Sequence, residues 1–254
     1  MTKIVLSLIL LSGLFGIIKS KYSTNDAPKT TNNTAPLQSG FAVVELFTSE
    51  GCSSCPPADD ILRGYADRDN VLALSFHVTY WNRLGWKDPF SQPEFDERQY
   101  NYGTQFQLNG VYTPQVVING SAEMVGSKKA QIEKSINQAL AETSDFKLEL
   151  SKILTDKKLT VNYKLDKTSE NMVLNLALVE RDIETKVLRG ENGGRTLKHD
   201  NVVRVFKTLK IASNTQGDID FILDNDFKIK DCSVIGYLQN EKTGKIIGGV
   251  KMGL

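Results

Sequence analysis

Cysteine and histidine are scarce in this chain: 254 residues hold three of the first and two of the second. A structural zinc site takes four ligands. Beyond Cys52 and Cys55 the soft candidates are Cys232, His77 and His199, all far away in sequence, and no second C-x-x-C pair exists. Charge of one sign is lacking too. Thirty-one basic residues stand against thirty acidic ones, and a formal charge of +1 gives no reason to expect nucleic acid or an anionic membrane surface as a partner. No internal repeat is apparent.

The apolar run at residues 4–18 is shorter than the roughly 20 residues that span a bilayer comfortably. Lys3 precedes it, and Lys19 and Lys21 follow it, which predicts a signal peptide over residues 1–20. Ile18-Lys19-Ser20 matches an A-x-A cleavage site poorly, so contact with a membrane is expected only if the segment stays uncleaved. No cysteine near its end offers a point of lipid attachment. Residues 21–40 are almost all Thr, Asn, Ser, Pro, Lys and Ala, with Tyr22 and Leu37 as the large apolar side chains, and are expected to be a flexible linker. The expected destination is the periplasm or the exterior, where a disulfide persists.

Against this background Cys52-Ser53-Ser54-Cys55 stands out. It follows a strand-like run at 41–47 and precedes a helix expected over 56–68, with Ile61, Leu62 and Tyr65 on one face. A thiol at a helix start meets unpaired backbone N–H groups and the positive end of the dipole, both of which favour the thiolate. Cys52 is therefore expected to be the exposed nucleophile and Cys55 the buried resolver. Residues 71–78 read as a second buried strand. Residues 111–118 and 122–125 read as a hairpin turning at Asn119-Gly120, and Ser127 is expected to cap a helix carrying Ile132, Ile136, Ala139 and Leu140. After residue 146 the helical period gives way to short strands at 146–154, 159–165, 172–180, 202–209, 219–223, 234–239 and 246–250. These predict an antiparallel β-sandwich. The length suits two domains, 41–144 and 145–254, with a boundary near Ser144.

The order β-α-β, insert, β-β-α with a C-x-x-C after its first strand resembles the thioredoxin fold. Tyr112-Thr113-Pro114 strengthens the resemblance, which implies a cis-proline facing the cysteines. The stretch from Glu45 through Cys52-Ser53-Ser54-Cys55-Pro56-Pro57 to Asp59 looks like a family of exported bacterial thioredoxin-like proteins without an assigned function. His77-Val78-Thr79-Tyr80-Trp81, Leu84-Gly85-Trp86-Lys87-Asp88-Pro89-Phe90 and Val111-Tyr112-Thr113-Pro114-Gln115 fit it too, and Arg189 to Arg195 with His199 to Arg204 extends the match into the second half. The fold class implied is α/β, a thioredoxin-like domain followed by an antiparallel β-sandwich-like domain. The activity implied is thiol–disulfide exchange with protein thiols or disulfides, through Cys52, Cys55 and Pro114, with no organic cofactor and no metal. By the same resemblance Glu45 stands as a candidate for the buried proton acceptor below the cysteines.

Each candidate has a plainer alternative. Glu45 can instead face solvent or meet a basic partner. Thr113, Trp81 and Trp86 are candidate substrate contacts, yet the aromatics between Tyr80 and Phe106 also suit a small core under a loop. His77 can lower a thiol pKa, or join Cys52 and Cys55 in holding Cu(I), the soft ion that thiolates select. The glycines between Arg189 and Arg195 precede no helix pattern and read as a structured turn rather than a phosphate loop. Cys232 reads as a buried apolar thiol. The rival readings are a Cu(I)-handling protein and a binding module with a structural disulfide.

Overall fold

The computed structural model describes residues 40–223 and 226–254. The expected signal peptide, and the expected linker apart from Gly40, lie outside the described residues. Among them, thirteen strands and three α-helices follow in order: β1 Ala42–Thr48, α1 Pro56–Arg63, β2 Val71–His77, α2 Pro93–Gln105, β3 Gln115–Ile118, β4 Ala122–Val125, α3 Lys129–Ala141, β5 Leu148–Leu154, β6 Lys158–Leu165, β7 Met172–Glu180, β8 Ile183–Lys186, β9 Thr196–His199, β10 Val202–Ile211, β11 Gln216–Ile222, β12 Cys232–Asn240 and β13 Ile246–Gly253. The result is a mixed α/β protein dominated by one large mixed sheet. Among the described residues no helix is long and apolar enough to cross a membrane.

β1 and β2 are buried at every position, as expected of strands covered on both faces. They pair in parallel, Ala42 opposite Val71 and Thr48 opposite His77. β3 lies antiparallel on the other side of β1 and continues into β4. Asn119 and Gly120 both take positive φ, 46° and 61°, at the centre of the turn that Ser121 N–H closes on Ile118 O at 3.0 Å. Ala42, Val44 and Leu46 pack with Ala58 and Leu62 of α1 and with Ile132 and Ile136 of α3. Val43, Phe47, Leu72, Leu74 and Phe76 form the opposite face with Phe95 and Tyr102 of α2. Each large apolar side chain so buried stabilises the fold by about 1.5–3 kcal/mol.

The main sheet runs β13-β12-β7-β10-β2-β1-β3-β4. It is continuous across Ser144, drawing four strands from each side of that position. The join is narrow, because β10 meets β2 in parallel at Val202 and Ser75 only. Asn201 strengthens it: its carbonyl accepts the Ser75 N–H at 2.9 Å, and its amide donates to Ala73 O at 2.9 Å. A three-stranded antiparallel sheet, β11-β6-β5, packs over the outer part, with Leu150, Leu159, Val161 and Phe221 meeting Leu174, Leu176, Val234 and Val250.

Several expectations need correction. α1 ends at Arg63 rather than at 68, because Gly64 loses more backbone entropy than other residues in a helix and the chain tightens there into turns. β3 begins only at Gln115, after Pro114, which has no N–H to give a ladder. Ser127 does not cap α3, whose N-cap is Lys128. α2 lies within the expected insert. β8 and β9, a hairpin paired from Ile183–His199 to Lys186–Thr196, were not expected.

Candidate functional site

β1 delivers the chain into a tight turn at its end. Cys52 N–H bonds to Ser49 O at 3.1 Å and Cys55 N–H to Cys52 O at 3.2 Å. Pro56 can open α1 without loss, since a first-turn N–H has no helical partner. The helix N-cap is therefore Cys55, so the dipole lies nearer Cys55 than the sequence suggested. Cys52 and Cys55 form a disulfide with Cα atoms 5.5 Å apart. Ser54 Oγ–H lies 3.3 Å from Cys52 Sγ. On the other side Thr113 O lies 3.9 Å from the same sulfur, and the Thr113–Pro114 bond is cis, as the resemblance implies.

Cys52 is not exposed. Both cysteines have 0% relative exposure, while Ser53 and Ser54 face solvent. The cover comes from two places. Trp81, half-buried, donates its indole N–H to Thr113 Oγ1 at 2.7 Å, and a methyl group at Gly51 would come within 3.0 Å of its Cβ. From the second half, the loop 187–195 between β8 and β9 closes on the turn. Asn192 is fully buried and its amide donates to Glu50 O and Cys52 O, both at 2.9 Å. Glu191 accepts the Ser53 N–H at 3.1 Å, and Gly190, at φ 76°, packs against Trp86. The glycine block is a structured turn, as expected, and its role is to sit on the cysteine turn.

Beside the disulfide lies a buried cluster of Glu50, Asp59, His77, Asp88 and His199, each at most 4% exposed. His77 Nδ1 meets Asp88 Oδ2 at 2.7 Å. Burial pushes Asp88 up, but His77 and the N–H groups of Glu50 and Phe90 outweigh it and hold the carboxyl below its usual range. His199, on β9, points Nε2 at Glu50 Oε1 (3.4 Å) and Nδ1 at Asp59 Oδ1 (3.8 Å). Burial opposes its charge, yet Asp59 and Glu50 prevail and raise His199 to about 10, so it is an imidazolium at neutral pH. Trp86 ties the cluster to the surface by donating to Glu50 Oε2 at 2.7 Å. Among the described residues no three His, Cys, Asp or Glu side chains are placed to hold a metal ion.

The other sequence candidates divide. Pro114, Thr113, Trp81 and Trp86 gather around Cys52 or its turn. Glu45 does not join them: it lies on the face of β1 turned toward α2, where Arg98 Nε–H donates to Oε1 at 2.7 Å, Tyr237 OH to Oε1 at 2.8 Å and Tyr102 OH to Oε2. The alternative of a basic partner describes it. Cys232 is buried and its thiol is pushed up to about 12 by burial and by Glu180, which leaves it protonated and inert at neutral pH. Glu50, Asp59, Asp88, Asn192 and His199 were missed. The available signal was proximity, since Glu50 and Asp59 flank the C-x-x-C by two and four residues.

Fold and site together define a mixed α/β protein with a buried C-x-x-C disulfide at the mouth of a helix, clamped by a hairpin from the chain's second half. Residues 43–239 match the family described as "Protein of unknown function (DUF1223)", and the chain belongs to that family. Among solved structures, a protein from Agrobacterium tumefaciens is similar at 27% identity and a TM-score of 0.62, over 84% of this chain and 93% of that one. HBP35 of Porphyromonas gingivalis shares the fold at 16% identity and a TM-score of 0.61, over 85% of this chain and 76% of that one. No curated protein matches the sequence.

Proposed function

We propose that this chain is an exported thiol–disulfide oxidoreductase that exchanges disulfides with protein partners through Cys52 and Cys55. The observation that carries the reading is the placement of Cys52 Sγ 3.9 Å from Thr113 O, next to Pro114. Around that sulfur and its turn, half-buried Thr113, Trp81 and Trp86 offer a backbone acceptor and aromatic faces, the groups that hold an extended segment. In the reducing direction the Cys52 thiolate attacks a partner disulfide, and Cys55 then displaces the partner as the internal bond forms. The cysteines carry both electrons, so the reaction needs no organic cofactor.

The order β1-α1-β2-α2-β3-β4-α3, with α1 and α3 on one face of the strands and α2 on the other, supports a thioredoxin-like reading of residues 41–144. The stacking of β11-β6-β5 on β7, β12 and β13 supports a sandwich-like reading of residues 145–254. Export rests on the apolar run at 4–18. A second reading, a structural disulfide in a binding module, draws support from the complete burial of both sulfurs. Cys55→Ser separates the two. Produced in an exporting bacterium, it is expected to accumulate mixed disulfides as high-mass bands that vanish on reduction, whereas Cys52→Ser shows none. No bands with either variant would favour the structural disulfide.

A further inference from the structure

Away from the cysteines the chain buries a polar network that the exchange just described does not use. Glu45 on β1 accepts the Arg98 Nε–H at 2.7 Å and the Tyr237 hydroxyl at 2.8 Å, and Tyr102 donates to its other oxygen. The network continues outward. Arg98 Nη2–H reaches Gln239 Oε1 at 3.2 Å, Asn175 donates to the same oxygen at 2.9 Å, and the Thr208 hydroxyl donates to Asn175 Oδ1 at 2.7 Å. Both halves of the chain contribute, β1 and α2 from one and β7, β10 and β12 from the other. A buried ion pair is often no more stabilising than apolar packing of the same volume, so this one calls for a use beyond stability. Above the network a cleft of about 670 Å³ opens, within the roughly 300–1,000 Å³ of small-molecule sites. α2 fixes its place. The helix starts beside the cysteine end of the strands, with Gln92 N–H on His77 O at 3.2 Å, and ends beside the cleft, with Gln105 Nε2–H on Gly120 O at 2.6 Å. Cleft and disulfide therefore lie at opposite ends of α2.

We propose that this cleft is a second site, one that binds a neutral oligosaccharide, with Arg98 and Asn175 as its floor and Asn101 and Thr208 on its rim. Arg98 is the fixed donor. Its guanidinium lies within 6 Å of the ring centres of Phe76, Tyr102, Phe206 and Tyr237, and its Nε and Nη2 are held by the network. Nη1 makes no hydrogen bond among the described residues and is not sealed from solvent, which leaves two N–H groups open to the cleft. Asn101, exposed one turn from Arg98, has an amide without a hydrogen bond among the described residues, and Thr208 Oγ1 keeps a free lone pair. Donors and acceptors thus alternate along the lining, which suits hydroxyl groups, since each of these both donates and accepts. The charges cancel: Lys242 stands against Glu241 at the rim, and Arg98 against Glu45 beneath. A phosphate or carboxylate therefore gains no net attraction here and loses its hydration. Among the described residues Val173 is the one aliphatic side chain of the lining, so the cleft lacks the apolar pocket that anchors a peptide. The site stands independently of the thiol exchange and gives the second half of the chain a task of its own.

The test titrates the isotope-labelled full chain with maltotriose, cellotriose, triacetylchitotriose and, as the charged counterpart, trigalacturonate, and follows backbone and side-chain amide shifts by nuclear magnetic resonance. At least one neutral trisaccharide is expected to move the amide signals of Asn101, Asn175 and Gln239 and to leave those of residues 51–55 in place. Asn101→Ala and Thr208→Val alter exposed positions, so both variants are expected to fold. Each should weaken binding about three- to tenfold, the worth of one hydrogen bond, and the two together about tenfold or more. No response to any neutral trisaccharide overturns the proposal, and so does a response to trigalacturonate alone. Shifts confined to the cysteine turn, or an affinity that the double variant leaves unchanged, place the ligand elsewhere and overturn it as well. None of these outcomes bears on the oxidoreductase reading, which stands or falls with the mixed disulfides of Cys55→Ser.

Discussion

Replacing Asn192 by alanine removes the buried side chain that, beside the exposed Glu191, ties the second half to the backbone around Cys52. Its amide satisfies two carbonyls, Glu50 O and Cys52 O, in a fully buried position. Cys52 O keeps the Cys55 N–H at 3.2 Å, so Glu50 O is the acceptor left unpaired, which disfavours the closed turn by about 1–3 kcal/mol. Each 1.4 kcal/mol is about tenfold in population, so the open form should rise roughly fivefold to about a hundredfold. A reductant reaches the sulfurs only when the turn opens, because both cysteines are buried. The rate of reduction by dithiothreitol, followed by alkylation and mass spectrometry, should rise by the same factor until opening ceases to limit it. Asn192→Asp preserves the shape but places a carboxylate oxygen against the two carbonyls, and should accelerate reduction at least as much. A rate within twofold of wild type for both variants, with folding intact, would refute the idea that the loop 187–195 clamps the site.

Glu45→Gln should lower stability by about 3–5 kcal/mol in urea unfolding, because Arg98 then lies nearly buried without its carboxylate; a loss under about 1 kcal/mol would contradict a structural role for this pair. His199 gives a pH signature. Its pKa is raised from 6.5 to about 10 on folding, so its contribution is fully present below pH 6.5 and is lost as pH rises toward 10. Unfolding midpoints should fall across that window, and His199→Gln should flatten the fall; a parallel slope in the variant would exclude His199 as its source.

The strands were legible where burial or alternation was unmixed. Residues 172–180, buried throughout, match β7 end to end. α2 was hidden because its buried stripe, Phe95, Gln99 and Tyr102, has a glutamine at its centre, and Gly103 weakens the helical pattern further. Pro93 at the helix start with Glu94 and Asp96 in the first turn was the cue that remained. β8 and β9 each have four residues, too short for alternation to register. The cysteine pair and the Thr113-Pro114 segment were legible because both are local motifs. Glu50, Asp59, Asn192 and His199 converge only through tertiary structure, as the 140 residues between Cys52 and Asn192 illustrate. A one-dimensional reading assigns such residues to a turn, a helix end or solvent. The shared sheet was hidden for a like reason, since the parallel contact of β10 with β2 leaves no mark on either strand's pattern.

The most direct measurement is the reduction potential of Cys52–Cys55 in the purified protein, equilibrated against defined dithiol buffers. A bond used for exchange with protein partners should have a potential well above about −300 mV, whereas a structural disulfide lies below that value. The site described here predicts the higher value, and a potential below about −300 mV would contradict it.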